Sequence, residues 1–409
     1  MSASSFAAAT TGPSDPKSNR STAYSTAHSN ASSTTASSTT RPTASTVLAI
    51  ETSCDETAVA IVRGRQVLSS VVASQIEIHR PYGGVVPEVA SREHVSAIGE
   101  AIAQAFTQTA PQAPSPLPSP LKWADIDAIA ATCAPGLVGA LMVGITAAKT
   151  LALVHNKPFL GVHHLEGHIY ASYLSDPTLK PPFLCLLVSG GHTSYVHVKG
   201  VGDYEILGKT RDDAAGEAFD KVARLLELGY PGGPIIDRLA KTGNPKAFAL
   251  PEGKISLPGG GYHPYDASFS GLKTAVLRLV DKLKAEAATS NTPVPVADVA
   301  ASFQATVVRA LVKRAIACVQ DHTLSTVVVG GGVAANSALR SQLQLAADKH
   351  NFRVIFPPMK YCTDNAAMIA CAAVERFEQG ARSPMSIGAR SKLSIMEIAE
   401  LYQQPSPKG

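Results

Sequence analysis

The sequence predicts an α/β protein of two lobes, each a sheet covered by helices, with a cleft between them. Three observations carry that expectation. Apolar strands alternate with helical segments along most of the chain, as in parallel or mixed sheets covered on both faces. Two short hairpins follow one plan, an apolar strand on either side of a small polar tip, which suggests an internal duplication. Glycine turns stand at strand ends, where ligands of such folds gather.

In chain order, Val47–Glu51 and Thr57–Val62 form the first hairpin, with Thr52-Ser53-Cys54-Asp55-Glu56 as its turn. A helix over about Glu93–Phe106 and a Pro-rich linker over 109–120 follow. Ile126–Cys133 reads as a strand, Gly139–His155 as a helix and Pro158–Val162 as a strand, before a helix that carries histidines. The second hairpin joins Phe183–Val188 to Thr193–Val198 through Ser189-Gly190-Gly191-His192. Helices near Asp213–Leu228, Gly271–Leu283 and Ala297–Asp321 come next. The chain then alternates strand Thr326–Val329, helix Asn336–His350, strand Val354–Phe356 and helix Asn365–Gln379. The expected division is a disordered tail at 1–45, an N-terminal lobe at 46–180, a C-terminal lobe at 181–388 and an extension at 389–409.

Composition bounds the function. The 409 residues, 45% hydrophobic and 17% charged, suffice for two real cores. The Ser/Thr/Ala-rich first 45 residues cannot bury enough apolar surface to order themselves. Their single acid, Asp15, also suits an organelle transit peptide, although no amphipathic helix can be drawn through them; a solubilising extension is the alternative. Net charge is only +4, half of it in the tail, so bulk charge alone would not hold a polyanion. The six cysteines show no C-x-x-C spacing and fit a reducing compartment, the cytoplasm, or a plastid or mitochondrion if the tail is a transit peptide. The uncharged run 128–148 is broken by Pro135, Gly136, Gly139 and Gly144, so a buried strand, a turn and a packed helix are expected there instead of a membrane span.

The most informative motif is His163-His164-Leu165-Glu166-Gly167-His168. His164 and His168 share one helix face. With a remote carboxylate they make an N2O set for Zn²⁺ or Fe²⁺ that leaves coordination positions open. Asp364, between a strand and a helix, is ranked as that carboxylate, although a helix cap would explain it too. A zinc protease also spaces two histidines this way, but its glutamate directly follows the first one. Glu166 stands two residues on, roughly 200° around the helix, and cannot act as base at that metal.

Three glycine turns, Ser189-Gly190-Gly191, Gly330-Gly331-Gly332 and Tyr230-Pro231-Gly232-Gly233, expose backbone to a phosphate or a base. None is a Walker loop or a G-x-G-x-x-G. Three such turns favour a nucleotide cleft, which a small-molecule kinase or an actin- or Hsp70-like nucleotide switch would use.

Taken as a set, Thr46-Val-Leu-Ala-Ile-Glu-Thr-Ser-Cys-Asp-Glu-Thr57, Tyr82-Gly-Gly-Val-Val-Pro-Glu88, His163-His-Leu-Glu-Gly-His168, Leu187-Val-Ser-Gly-Gly-His-Thr193, Asp212-Asp-Ala-Ala-Gly-Glu-Ala-Phe-Asp-Lys221, Tyr230-Pro-Gly-Gly-Pro234, Phe269-Ser-Gly-Leu-Lys-Thr274 and Cys362-Thr-Asp-Asn365 closely resemble the bacterial branch of the Kae1/TsaD/Qri7 family. The likeness runs from about Thr46 to about Gly380. It implies the two-lobed fold shared by actin, Hsp70 and sugar kinases (the ASKHA fold, with duplicated RNase H-like lobes). It also implies completion of threonylcarbamoyladenosine on tRNA. By motif, the metal ligands become His164, His168 and Asp364, holding Fe²⁺ foremost or Zn²⁺. Threonylcarbamoyl-AMP would meet Leu187, Val188, Ser189, Gly190, Gly191, Asp220, Gly233, Asp237 and Asn336. Asp55 and Glu56 are the candidates for proton transfer. The implied partners are tRNA, a non-catalytic paralogous subunit (TsaB-like) and a small ATPase (TsaE-like), with no membrane.

Overall fold

The computed structural model of the chain describes residues 44–108, 121–290 and 292–403. The tail up to residue 43 and the linker 109–120, both singled out by composition, lie outside them. The chain opens with an antiparallel meander, β1 (Thr46–Glu51), β2 (Glu56–Arg63) and β3 (Gln66–Ser74). After α1 (Ile76–His79) and α2 (Pro87–Thr107) come β4 (Ala128–Ala134), α3 (Val138–Val154) and β5 (Phe159–His163). β4 joins β1 in parallel and β5 joins β4, giving the order β3-β2-β1-β4-β5.

A short helix, α4 (His164–Tyr170), leads out of this sheet, and the plan repeats. β6 (Phe183–Val188), β7 (Thr193–Gly200) and β8 (Asp203–Lys209) form the second meander. Then come α5 (Ala215–Leu225), α6 (Gly232–Leu239), a small hairpin of β9 (Lys254–Ser256) and β10 (Tyr262–Ala267), α7 (Ser270–Ser290) and α8 (Val296–Asp321). β11 (Thr326–Gly330), α9 (Ser337–His350) and β12 (Arg353–Ile355) complete a sheet of order β12-β11-β6-β7-β8. Strand for strand this is the first sheet again, so the duplication read from the two hairpins is real. β1 and β6, each buried at all six positions, are central in their sheets, which is why they read as continuous apolar runs.

Alternation along β6 connects the lobes. Leu184, Leu186 and Val188 face a core built with α5, α7, α8 and α9, while Phe183, Cys185 and Leu187 belong to the core of the first lobe. All seven residues of α4 are buried, and the helix packs against β6 and β11. Gly330 makes that approach possible, because a Cβ there would meet the His168 carbonyl oxygen at 2.6 Å.

The C-terminal part departs from expectation. α10 (Ala366–Glu378), expected to close the second lobe, packs on β1, β2 and α4, and its residues 366–374 lie in the first core. A helix apolar all round needs more than one covering surface, and the β1–β2 surface together with α4 supplies it. The expected extension contributes Ile395, Ile398 and Leu401 to the same core. α2 starts at Pro87, six residues before its expected start, with proline in its first turn. The edge strands β3 and β8 and the Gly-Gly-Pro start of α6 went unread, because serine, charge and turn residues mask their periodicity. The uncharged run at 128–148 divides into β4 and α3, and among the described residues no helix is long and apolar enough to cross a membrane. All six cysteines are free.

Candidate active site

His164 and His168 stand on α4 directly after β5, and Asp364 precedes the N-cap of α10. Asn365 fixes that turn: its Oδ1 accepts from the Met368 N–H at 3.0 Å, and its Nδ2 donates to the Thr363 oxygen at 2.8 Å. Asp364 Oδ1 then lies 3.5 Å from His164 Nε2 and 3.2 Å from His168 Nε2. The two imidazole planes meet at 81° with centroids 4.7 Å apart. Side-chain exposure is 9% at His164, 1% at His168 and 22% at Asp364, so the group opens on the carboxylate side. The three donor atoms lie within 4.8 Å of one another.

Among the described residues, neither ring nitrogen of the buried His168 has a hydrogen bond of good geometry, although Nε2 is close to Asp364. Buried imidazole nitrogens are normally satisfied. An orphaned one beside a second histidine and a carboxylate fits a divalent cation.

Glu51, which sequence reasoning missed, supports this set. Its Oε2 lies 3.1 Å from His164 Nδ1 and accepts from Thr132 Oγ1 at 2.6 Å, while Oε1 accepts from the Ser53 N–H. A carboxylate on Nδ1 turns Nε2 toward the ion and fixes the tautomer. The available signal was an acid ending an otherwise apolar buried strand. Burial opposes a charge on His164, yet Asp364 and Glu51 outweigh it and lift its pKa to about 9. Burial works against ionised Asp364 too, but the His164 charge and the close approach of His168 hold it well below the usual carboxylate range.

Asp55 is buried and Glu56 half-buried at the first hairpin tip. Burial, followed by the charges of Asp364 and Asp55, drives the Glu56 pKa well above its ordinary value. Burial and the neighbouring Asp55 and Asp364 raise the Cys54 thiol pKa, which disfavours the thiolate.

The second tip is built differently. The Ser189 N–H donates to the His192 oxygen at 2.8 Å, and the His192 N–H donates to Ser189 Oγ at 3.1 Å. Among the described residues no group bonds the N–H of Gly190 or Gly191. Leu187 and Val188 are buried behind them in β6. Gly331, at φ +95°, would place a Cβ 2.4 Å from the Val188 oxygen, so the β11–α9 turn lies directly on this tip. Asn336 caps α9 by accepting from the Leu339 N–H at 2.9 Å and donates to Gln304 Oε1 at 2.8 Å. Asp237 Oδ1 accepts from Ser337 Oγ at 2.8 Å, and Asp220 Oδ1 from the Gly232 N–H at 2.7 Å, one residue before Gly233. Asp220, Gly233, Asp237 and Asn336 therefore stand at the starts of α6 and α9 or beside them.

Glu166 faces away from the metal set. Arg376 Nε donates to its Oε1 at 2.9 Å, Nη2 lies 2.6 Å from the same oxygen, and Tyr204 donates to it at 2.6 Å. The protease reading ends there.

A family model described as TsaD, tRNA N6-adenosine threonylcarbamoyltransferase, matches residues 66–371. The chain belongs to this family. A relative from Nostoc sp. named tRNA N6-adenosine threonylcarbamoyltransferase is 69% identical over 359 residues, 88% of this chain and 100% of that one. One of the same name from Synechocystis sp. is 66% identical over 358 residues, 88% of this chain and 99% of its own. Among solved structures, HypF of T. kodakarensis matches with a TM-score of 0.54 at 16% identity, over 82% of this chain and 48% of that chain. That likeness concerns the fold alone. This threonylcarbamoyltransferase modifies tRNA at N6 of adenosine, and its two-lobed fold is the one the resemblance implied. The kinase and nucleotide-switch alternatives fall with that assignment.

Proposed function

We propose that the acyl donor is threonylcarbamoyl-AMP, that the acceptor is the adenosine 3′ to the anticodon in tRNAs reading codons that start with A, and that His164, His168 and Asp364 hold one divalent ion. The observation that carries this reading is the convergence of those three side chains around an orphaned, buried His168. Two histidines and one carboxylate with open positions favour Fe²⁺, with Zn²⁺ second. When bound, the ion supplies a Lewis acid for the carbamoyl carbonyl.

The chain's own residues do the rest. Glu51 orients His164. The free N–H groups of Gly190 and Gly191 suit the donor phosphate, with Leu187, Val188 and Ser189 holding the tip in place. Asp220, Gly233, Asp237 and Asn336 line the adenosine side. The adenine N6 is a weak nucleophile because its lone pair is delocalised into the ring. As N6 bonds the carbamoyl carbon, the carbon–oxygen bond to AMP breaks, and the displaced N6 proton passes to the Asp55–Glu56 pair, with Asp55 as acceptor. The raised pKa of the Cys54 thiol supports direct transfer without an acyl-enzyme.

A TsaB-like paralogous subunit and a TsaE-like small ATPase complete the reading. Exposed Val95 on α2 and Val138 and Met142 on α3, two helices in contact at Ser91 and Gly139, suit a docked partner. Free cysteines suit a reducing compartment, the cytoplasm first. The test is transfer to tRNA from supplied threonylcarbamoyl-AMP, with wild type and His164→Ala compared in single turnover. Loss of transfer in the variant and no acylated wild-type protein are expected. An active variant, or a trapped acyl-enzyme, overturns the reading.

A further inference from the structure

A cavity of about 520 Å³ lies outside the metal centre and is walled by both halves of the chain. Arg80 comes from the segment after α1, Arg224 from α5 and Arg238 from α6, and Tyr230 stands between the last two. All three arginines are exposed. The acids in the lining are committed elsewhere, Asp220 to the Gly232 N–H at 2.7 Å and Glu227 to Lys284 at 2.7 Å. The lining carries three arginines against two acids, a formal +1, and Arg80 is itself paired with Glu77 at 2.5 Å, so a phosphate there would compete with that exposed ion pair.

The cavity adjoins the donor pocket through Asp220 but opens on another face of α6. Along α6, Gly233 and Asp237 share one face, while the cavity takes Pro234 and Arg238, about 100° further round. Tyr230 reaches toward the catalytic hairpin: burial first, then the charges of Asp55 and Asp220, raises its phenol pKa. The cavity therefore adjoins the residues that would meet the reacting adenine, on the far side of the α6 wall. Arg224 ties the two halves together by donating to the Gly83 oxygen.

We propose that this cavity seats the RNA backbone next to the target adenosine, with Arg80 and Arg238 holding phosphates and Tyr230 offering a ring to a neighbouring base. Guanidinium forks match phosphate oxygens in pairs, and unpaired loop bases stack on aromatic rings. The proposal rests on the tRNA substrate of the family.

The test is binding of the full chain to tRNA across a salt series, together with steady-state kinetics in the donor. Arg80→Glu and Arg238→Glu should each weaken tRNA binding about tenfold and lower the log–log salt slope by roughly 0.7–1 per charge. The KM for threonylcarbamoyl-AMP and the thermal midpoint should not move, and Arg238→Lys should keep most of the affinity. Unchanged tRNA affinity and slope would overturn the proposal, and so would a raised donor KM with unchanged tRNA binding, which would give the cavity to the donor. If a glutamate variant does not fold, Arg80→Ala and Arg238→Ala decide by the same readouts. Wild-type protein that leaves tRNA unmodified breaks the functional reading; modified tRNA with indifferent arginine variants breaks only this one.

Discussion

The two hairpin tips occupy the same position in two copies of one sheet, yet they are chemically unlike. The first, after β1, is acidic: Glu51 supports His164, and Asp55 and Glu56 crowd their charges, with burial and then Asp364 raising the Glu56 pKa. The second, after β6, has no acid and presents open backbone at Gly190 and Gly191. The duplicated scaffold thus carries two unlike loops, and in the reaction proposed above one would serve proton and metal chemistry and the other the anionic donor. The helices that bring His164, His168 and Asp364 together belong to neither hairpin: α4 packs against strands of both sheets, and α10 packs on the first sheet and on α4.

That division can be broken in steps. His168→Ala should do most damage, lowering transfer roughly a thousandfold. This is the loss of several kcal/mol of Lewis-acid stabilisation at about 1.4 kcal/mol per factor of ten; bound metal per chain, measured by elemental analysis, should fall with it. Glu51→Gln should cost about 10–100-fold in metal affinity, as loss of a ligand's outer support does, while donor binding to loaded protein stays close to normal. Gly216→Ala tests the second tip alone. The added Cβ would meet the Ser189 oxygen at 2.6 Å and the Gly190 Cα at 2.9 Å, so the donor KM should rise on the order of tenfold with metal content unchanged. An equal loss of metal in Glu51→Gln and Gly216→Ala would erase the distinction between the tips. Glu166→Gln should affect turnover least and stability most. It leaves Arg376 buried and without its counter-charge, at a cost of about 3–5 kcal/mol that denaturant unfolding would read.

Much of this was legible in the sequence. The paired strands announced the duplication, because central strands buried on both faces need continuous apolar runs. His164 and His168 declared themselves by helical spacing, and Asp364 by its place between strand and helix. Glu51 escaped because its partner is 113 positions away, and no local pattern records such a distance. The placement of α10 escaped for a related reason. An apolar helix states that it must be covered but not by which sheet, so residues 366–374 read as the end of the second lobe while packing in the first. The cavity of Arg80, Arg224 and Arg238 was equally hidden, being assembled from three separate segments.

The most direct test of the central claim is transfer by chelated, metal-free protein with threonylcarbamoyl-AMP and tRNA supplied, followed by titration with Fe²⁺ and, separately, Zn²⁺. The account predicts negligible transfer without metal and recovery that saturates at one ion per chain in wild type, with no recovery in Asp364→Ala. Full-rate transfer by the metal-free protein, or equal recovery in Asp364→Ala, would contradict it.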